Sequence, residues 1–66
     1  MKLIELQKIM SPVQRIRLYD KNGISLGLGH VKEIGDLPYH DDEVLVITSG
    51  TGSYISVILN KVYEVK

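Results

Sequence analysis

Few residues of this 66-residue chain are of types that do chemistry, and the densest group is Tyr39-His40-Asp41-Asp42-Glu43. Imidazole titrates near neutrality and a neighbouring carboxylate orients it, so the group has the parts of an acid–base or metal site. A metal site, however, needs three or four ligands converging from separate elements, which adjacent residues do not supply. His30 is the only other histidine, and there is no cysteine. With no serine–histidine–acid set and no thiol nucleophile, neither a catalytic nor a metal-ligating residue is assigned. No cofactor is expected, and the chain is read as a non-enzyme. A solvated acidic loop or helix start is the plain reading of residues 39–43.

Arg15 and Arg17 are the second candidate group, with Tyr19 two residues on. Guanidinium forks recognise phosphate or carboxylate through paired hydrogen bonds, and an aromatic face stacks on a base. The alternative is a solvated polar strand face. Gly27 and Gly29 in the return strand are expected to share the face of Arg15 and Arg17 and to leave it bare, open to a backbone, a ring or a ligand. A bulge or bend explains the same glycines equally well. GLGHVK only half-matches a dinucleotide fingerprint, because Lys32 stands where the third glycine belongs. The loop in ITSGTGSY resembles a phosphate cradle, but strand-like residues follow it and no lysine does, so it is read chiefly as a turn.

The elements that position these residues follow from periodicity. Leu3, Leu6, Ile9 and Met10 form an apolar stripe at helical spacing, stopped by Ser11-Pro12. Ile16 and Leu18 alternate with Arg15, Arg17 and Tyr19 as in a strand, and Asp20-Lys21-Asn22-Gly23 turns the chain into a return strand with Ile24, Leu26 and Leu28 on one face. Residues 30–43 have no clear period and serve as a crossover, with a helical turn expected around 36–42. Strands are expected at Glu43–Thr48 and Tyr54–Asn60, joined by Ser49–Ser53, and the Lys61–Lys66 tail is either a short edge strand or frayed. The expected fold class is α+β, an N-terminal helix on a small, mainly antiparallel sheet of three to four strands. An SH3-like or Sm-like barrel is the competitor.

Composition bounds the function. One small domain, residues 1–66, must fold on a thin core: Ile, Leu and Val supply 23 residues, and Phe, Trp and Ala are absent. Eight basic residues balance eight acidic ones, which argues against nucleic acid as a partner. No apolar run reaches the length of a membrane span, so no membrane partner is expected, and the absence of cysteine fits the cytoplasm. Val44–Ile47 is apolar throughout, and Tyr54–Leu59 is apolar on one face with Tyr54 and Ile58 on the other. Such strands are expected to be covered on both faces, the second cover being another copy of the chain, which is favoured, or the crossover folded back over the sheet.

LIELQKIM, IRLYDKNG, the glycine-bearing return strand, VKEIGDLPYHDDEV and ISVIL together resemble small uncharacterised phage-encoded proteins of Gram-positive bacteria, built as a helix plus two β-hairpins. Leu37-Pro38 and Val44–Ile47 occupy that group's crossover and following strand; the TSGTGS turn and the Gly27/Gly29 pair depart from it. The resemblance implies a phage accessory protein that counters host defence, and it carries over no catalytic residue. Residues and resemblance together give a non-enzymatic homo-oligomeric protein that sequesters a small anionic, nucleotide-like ligand. The ligand contacts are expected at Arg15, Arg17, Tyr19, His30, Lys32 and Tyr54. The alternatives are an inhibitor that binds a host defence protein, and a weak nucleic-acid-binding small barrel.

Overall fold

The computed structural model describes residues 1–49 and 52–63. The chain runs through a 3-10 helix η1 (Leu3–Lys8), strands β1 (Arg15–Tyr19) and β2 (Ser25–His30), a second 3-10 helix η2 (Val31–Asp36), and strands β3 (Val44–Ser49) and β4 (Tyr54–Leu59). The four strands form one sheet in the order β2-β1-β4-β3.

Both hairpins are antiparallel, as their alternation and turns predict, but the central pair β1–β4 is parallel, so the sheet is mixed. The crossover explains this. A parallel relation between strands requires the chain to travel the length of the sheet before re-entering, and residues 31–43 make that journey. The sheet is open, with β2 and β3 at opposite edges, and does not close into a barrel.

The expected N-terminal helix is a single short 3-10 helix. Leu3 and Leu6 are fully buried, but Ile9 is 63% exposed and lies beyond the last helical residue. Residues three apart eclipse in 3-10 geometry, and η2 repeats the device with Val31 and Ile34, also fully buried. The two helices share an entry as well. The Glu5 carboxylate accepts the Lys2 N–H at 2.9 Å, and the Glu33 carboxylate accepts the His30 N–H at 3.0 Å. Each satisfies a donor that a helix start leaves free. The helix η2 is the second departure, and the turn expected around 36–42 follows it, the N–H groups of His40 and Asp42 donating to the carbonyls of Leu37 (3.3 Å) and Tyr39 (2.9 Å).

The core is built in pairs: Leu3 and Leu6, Val31 and Ile34, Ile16 and Leu18 from β1, Val57 and Leu59 from β4. Both helices therefore cover one face of the two central strands. The Gln7 side-chain amide donates to the carbonyls of Val31 (3.1 Å) and Lys32 (3.3 Å), tying η1 to η2. Segment 39–43 anchors η1 from the other side: the carbonyls of His40 and Asp42 accept the N–H groups of Ile4 (2.9 Å) and Leu3 (2.8 Å).

Asp20 is a buried hinge in the first turn. Its Oδ1 accepts the N–H groups of Asn22 and Ile24, both at 2.9 Å, and its Oδ2 accepts that of Tyr63 at 3.3 Å. Gly23 completes the turn at φ +83°, a conformation that glycine adopts without a Cβ penalty.

Candidate functional site

The face of the sheet away from the helices carries the arginines. Arg15 and Arg17 alternate with buried Ile16 and Leu18, so both project from the uncovered side. The parallel register sets Arg15 opposite Tyr54 and Arg17 opposite Ser56. The Arg17 guanidinium carbon lies 4.7 Å from the Tyr54 ring centroid and that of Arg15 lies 5.8 Å from it. Both distances fall within the reach of a cation–π attraction. One ring thus gathers two like charges.

Those charges lack acidic partners: among the described residues neither arginine takes part in an ion pair. Arg17 Nε is buried without a hydrogen-bond acceptor among the described residues, an arrangement that costs free energy unless a further group supplies one. Glu33, which lines the same hollow as Arg15, is engaged elsewhere. It meets His30 Nδ1 at 2.9 Å, and this bond with the His30 N–H holds its carboxyl below the ordinary glutamate range. Arg15, His30 and Tyr54, with Leu28, Gly29 and Glu33, line a shallow hollow of about 440 Å³.

The six expected contact residues separate accordingly. Arg15, Arg17, Tyr54 and His30 are brought together. Tyr19 sits on the same face further along β1, opposite Ile58 on β4 and Ser25 on β2. Lys32 is not with them. It follows the start of η2, its N–H donating to the Pro12 carbonyl at 3.1 Å, and it lines a separate hollow with Gln7 and Pro12.

Gly27 and Gly29 lie on the other face from the one expected. They pair with Leu18 and Ile16, while Leu28 pairs with Arg17. The register shifts beside Tyr19, leaving Leu26 as the extra residue, and a one-residue slip exchanges the faces of a strand. Leu28 is consequently 61% exposed next to the arginines. The bare glycines instead open a mainly apolar notch of about 80 Å³ between β2 and the crossover, lined by Leu26, Leu37 and Tyr39 among others. Simple alternation predicts Leu26 and Leu28 on one face, and only the bulge reveals otherwise.

The side chains of the acidic segment point to different partners. His40 Nδ1 is 3.4 Å from Asp41, whereas the Asp42 carboxylate accepts the Tyr63 hydroxyl and the Tyr63 ring packs edge-on against Tyr39. Among the described residues no three His, Asp or Glu side chains converge as metal ligands. The Ser49–Ser53 loop lies partly outside the described residues. Of its described part, Gly52 has φ +66° and the Ser53 carbonyl accepts the Gln14 side-chain amide at 2.7 Å. Among the described residues no helix is long and apolar enough to cross a membrane. Comparison with protein-family models, curated proteins and solved structures finds no match, so the chemistry assigned to this face rests on its own geometry.

Proposed function

We propose that this chain is a non-enzymatic, homo-oligomeric binding protein that holds a small anionic, phosphate-bearing ligand on the open face of its sheet. The observation that carries this reading is the pair of guanidinium groups over Tyr54, unpaired among the described residues, with Arg17 Nε buried and lacking an acceptor. A phosphate or carboxylate supplies what is missing. It brings negative charge to the two cations and acceptors to their N–H groups, in a geometry that guanidinium matches bidentately. Leu28 and the hollow beside Arg15 offer an apolar flank and room for the ring or sugar of a nucleotide-like molecule. Tyr19 extends the same face.

The setting follows from the resemblance alone: a phage accessory protein, acting in the host cytoplasm, that counters defence by sequestering a nucleotide signal. A thermal-shift screen against cyclic dinucleotides, ADP-ribose and inorganic phosphate tests the reading. A ligand held only by the folded protein, at a hundred times its Kd, adds ~2.7 kcal/mol of stability, or roughly 10–20 °C in Tm for a domain this small. No shift with any phosphate-bearing ligand would contradict it.

A further inference from the structure

The two edges of the sheet differ in kind. β2 is interrupted by its bulge and by Gly27 at φ +137°, and Glu33 caps its end by taking the His30 N–H. Bulges, short pairing runs and charged side chains are the usual protections of an exposed edge. β3 has a bulge only at its start, between Val44 and Val46. There the first residues of the chain cover it: Lys2 bridges Glu43, and the Met1 carbonyl accepts the Val44 N–H at 2.8 Å. From Leu45 to Ser49 no described residue pairs with the outer side of β3.

This uncovered length is also aliphatic and uncharged. Leu45, Val46 and Ile47 are 47%, 44% and 40% exposed. No Asp, Glu, Lys or Arg occurs between Glu43 and Lys61, so every charge of the chain lies outside the second hairpin. A strand of high β-propensity with no proline and no charge is a template for pairing with another strand. Its occupant must satisfy backbone groups along an edge and meet aliphatic side chains above and below. An uncharged strand with its own free edge does both, and the strand of this chain that fits is β3 itself.

We infer that a second copy of this chain pairs with β3, antiparallel, strand to identical strand about a two-fold axis perpendicular to the sheet. The inference rests on the homo-oligomer part of the function proposed above and locates its interface. The product is one eight-stranded sheet, self-complementary as two-fold contacts require. Both Arg17–Tyr54 faces then lie on the same side, and both helical layers on the other. The symmetry brings each exposed β3 side chain against its own counterpart or a near neighbour, where aliphatic pairs favour association and like charges oppose it.

The test is the mass of the purified full chain in solution from low to high micromolar concentration, by light scattering after gel filtration. The wild type is expected at twice the chain mass of 7.4 kDa. The double variant Val46→Lys/Thr48→Lys is expected at one chain mass with an unchanged circular dichroism spectrum. Leu28→Lys, an equally intrusive change on the other edge strand, is expected to stay dimeric. Hydrogen exchange on the wild type guards against a variant that fails to fold: amides of Leu45–Ser49 should slow as concentration rises. A wild type that is monomeric throughout would overturn the inference. So would a dimer that survives the double variant or is lost in Leu28→Lys, or exchange in β3 that ignores concentration. Titration of both forms with ADP-ribose and cyclic dinucleotides separates the two proposals. Failure of ligand binding leaves the mass result standing, and a wild type that is monomeric yet binds ligand overturns the interface alone.

Discussion

The guanidinium of Arg17 lies 4.7 Å from the ring centroid of Tyr54, across the parallel junction of β1 and β4. These residues are distant in sequence and meet only because the crossover returns the second hairpin alongside the first. The contact orients a cation whose Nε has no acceptor among the described residues. A buried donor left without an acceptor lowers the stability of the chain that carries it.

That expense is measurable. Arg17→Met keeps most of the volume, removes the unsatisfied donor and gives up the cation–π attraction. Relief of a buried unpaired group is worth ~1–3 kcal/mol, and the lost attraction ~0.5–1 kcal/mol. Chemical denaturation should therefore find the variant as stable as the wild type or up to ~2.5 kcal/mol more stable. Marked destabilisation would make Arg17 a structural residue.

Asp20 is the opposite case, a charged group that serves the fold. Its side chain receives three backbone N–H groups across the first turn and the chain end. Asp20→Ala leaves these donors without their acceptor and should lower stability by ~3 kcal/mol, with the far-UV spectrum at low temperature retained. Asp20→Asn, which keeps one acceptor oxygen, should fall between.

The glycines of β2 separate backbone from space. Nothing lies within 4 Å of a Cβ added at Gly27, yet its φ of +137° strains any other residue. At Gly29 the nearest atom, a Glu33 carboxylate oxygen, is 3.8 Å away and φ is ordinary. Gly27→Ala should cost ~1–3 kcal/mol and Gly29→Ala close to nothing, read from paired thermal melts.

The helix entries confer a pH dependence. Glu5 is held below its ordinary range chiefly by the Lys2 N–H, and Glu33 by His30. A carboxyl whose folded pKa is depressed contributes stability that is fully present above its unfolded pKa, ~4.3, and is lost as pH falls through the folded value. Stability should decline on acidification below that point. The decline should be shallower in Glu5→Gln and Glu33→Gln, measured by urea titration at a series of pH values; an unchanged slope would contradict the two contacts.

The strands were legible because alternation of Ile16 and Leu18 with Arg15 and Arg17, and the turn at 20–23, are local signals. The arginine face was legible for the same reason. Tyr54 is among the expected contacts, but the parallel pairing through which it reaches Arg15 and Arg17 is recorded in no local pattern. The faces of β2 were misread because one bulged residue, Leu26, reverses the parity of Gly27, Leu28 and Gly29. The N-terminal stripe overstated its helix, since the pair Leu3/Leu6 satisfies 3-10 and α-helical spacing alike and only packing decides where it ends. Asp20, read from sequence as one residue of a turn, is fully buried and also receives the Tyr63 N–H, a long-range contact that no local pattern records.

Calorimetric titration of wild type and Arg17→Met with the phosphate-bearing ligand that gives the largest thermal shift tests the binding face most directly. Loss of one charge-assisted contact, worth ~1.5–3 kcal/mol, should weaken the variant's affinity roughly ten- to a hundredfold at undiminished stability. Equal affinities in the two proteins would place the ligand, if any, somewhere other than over Tyr54.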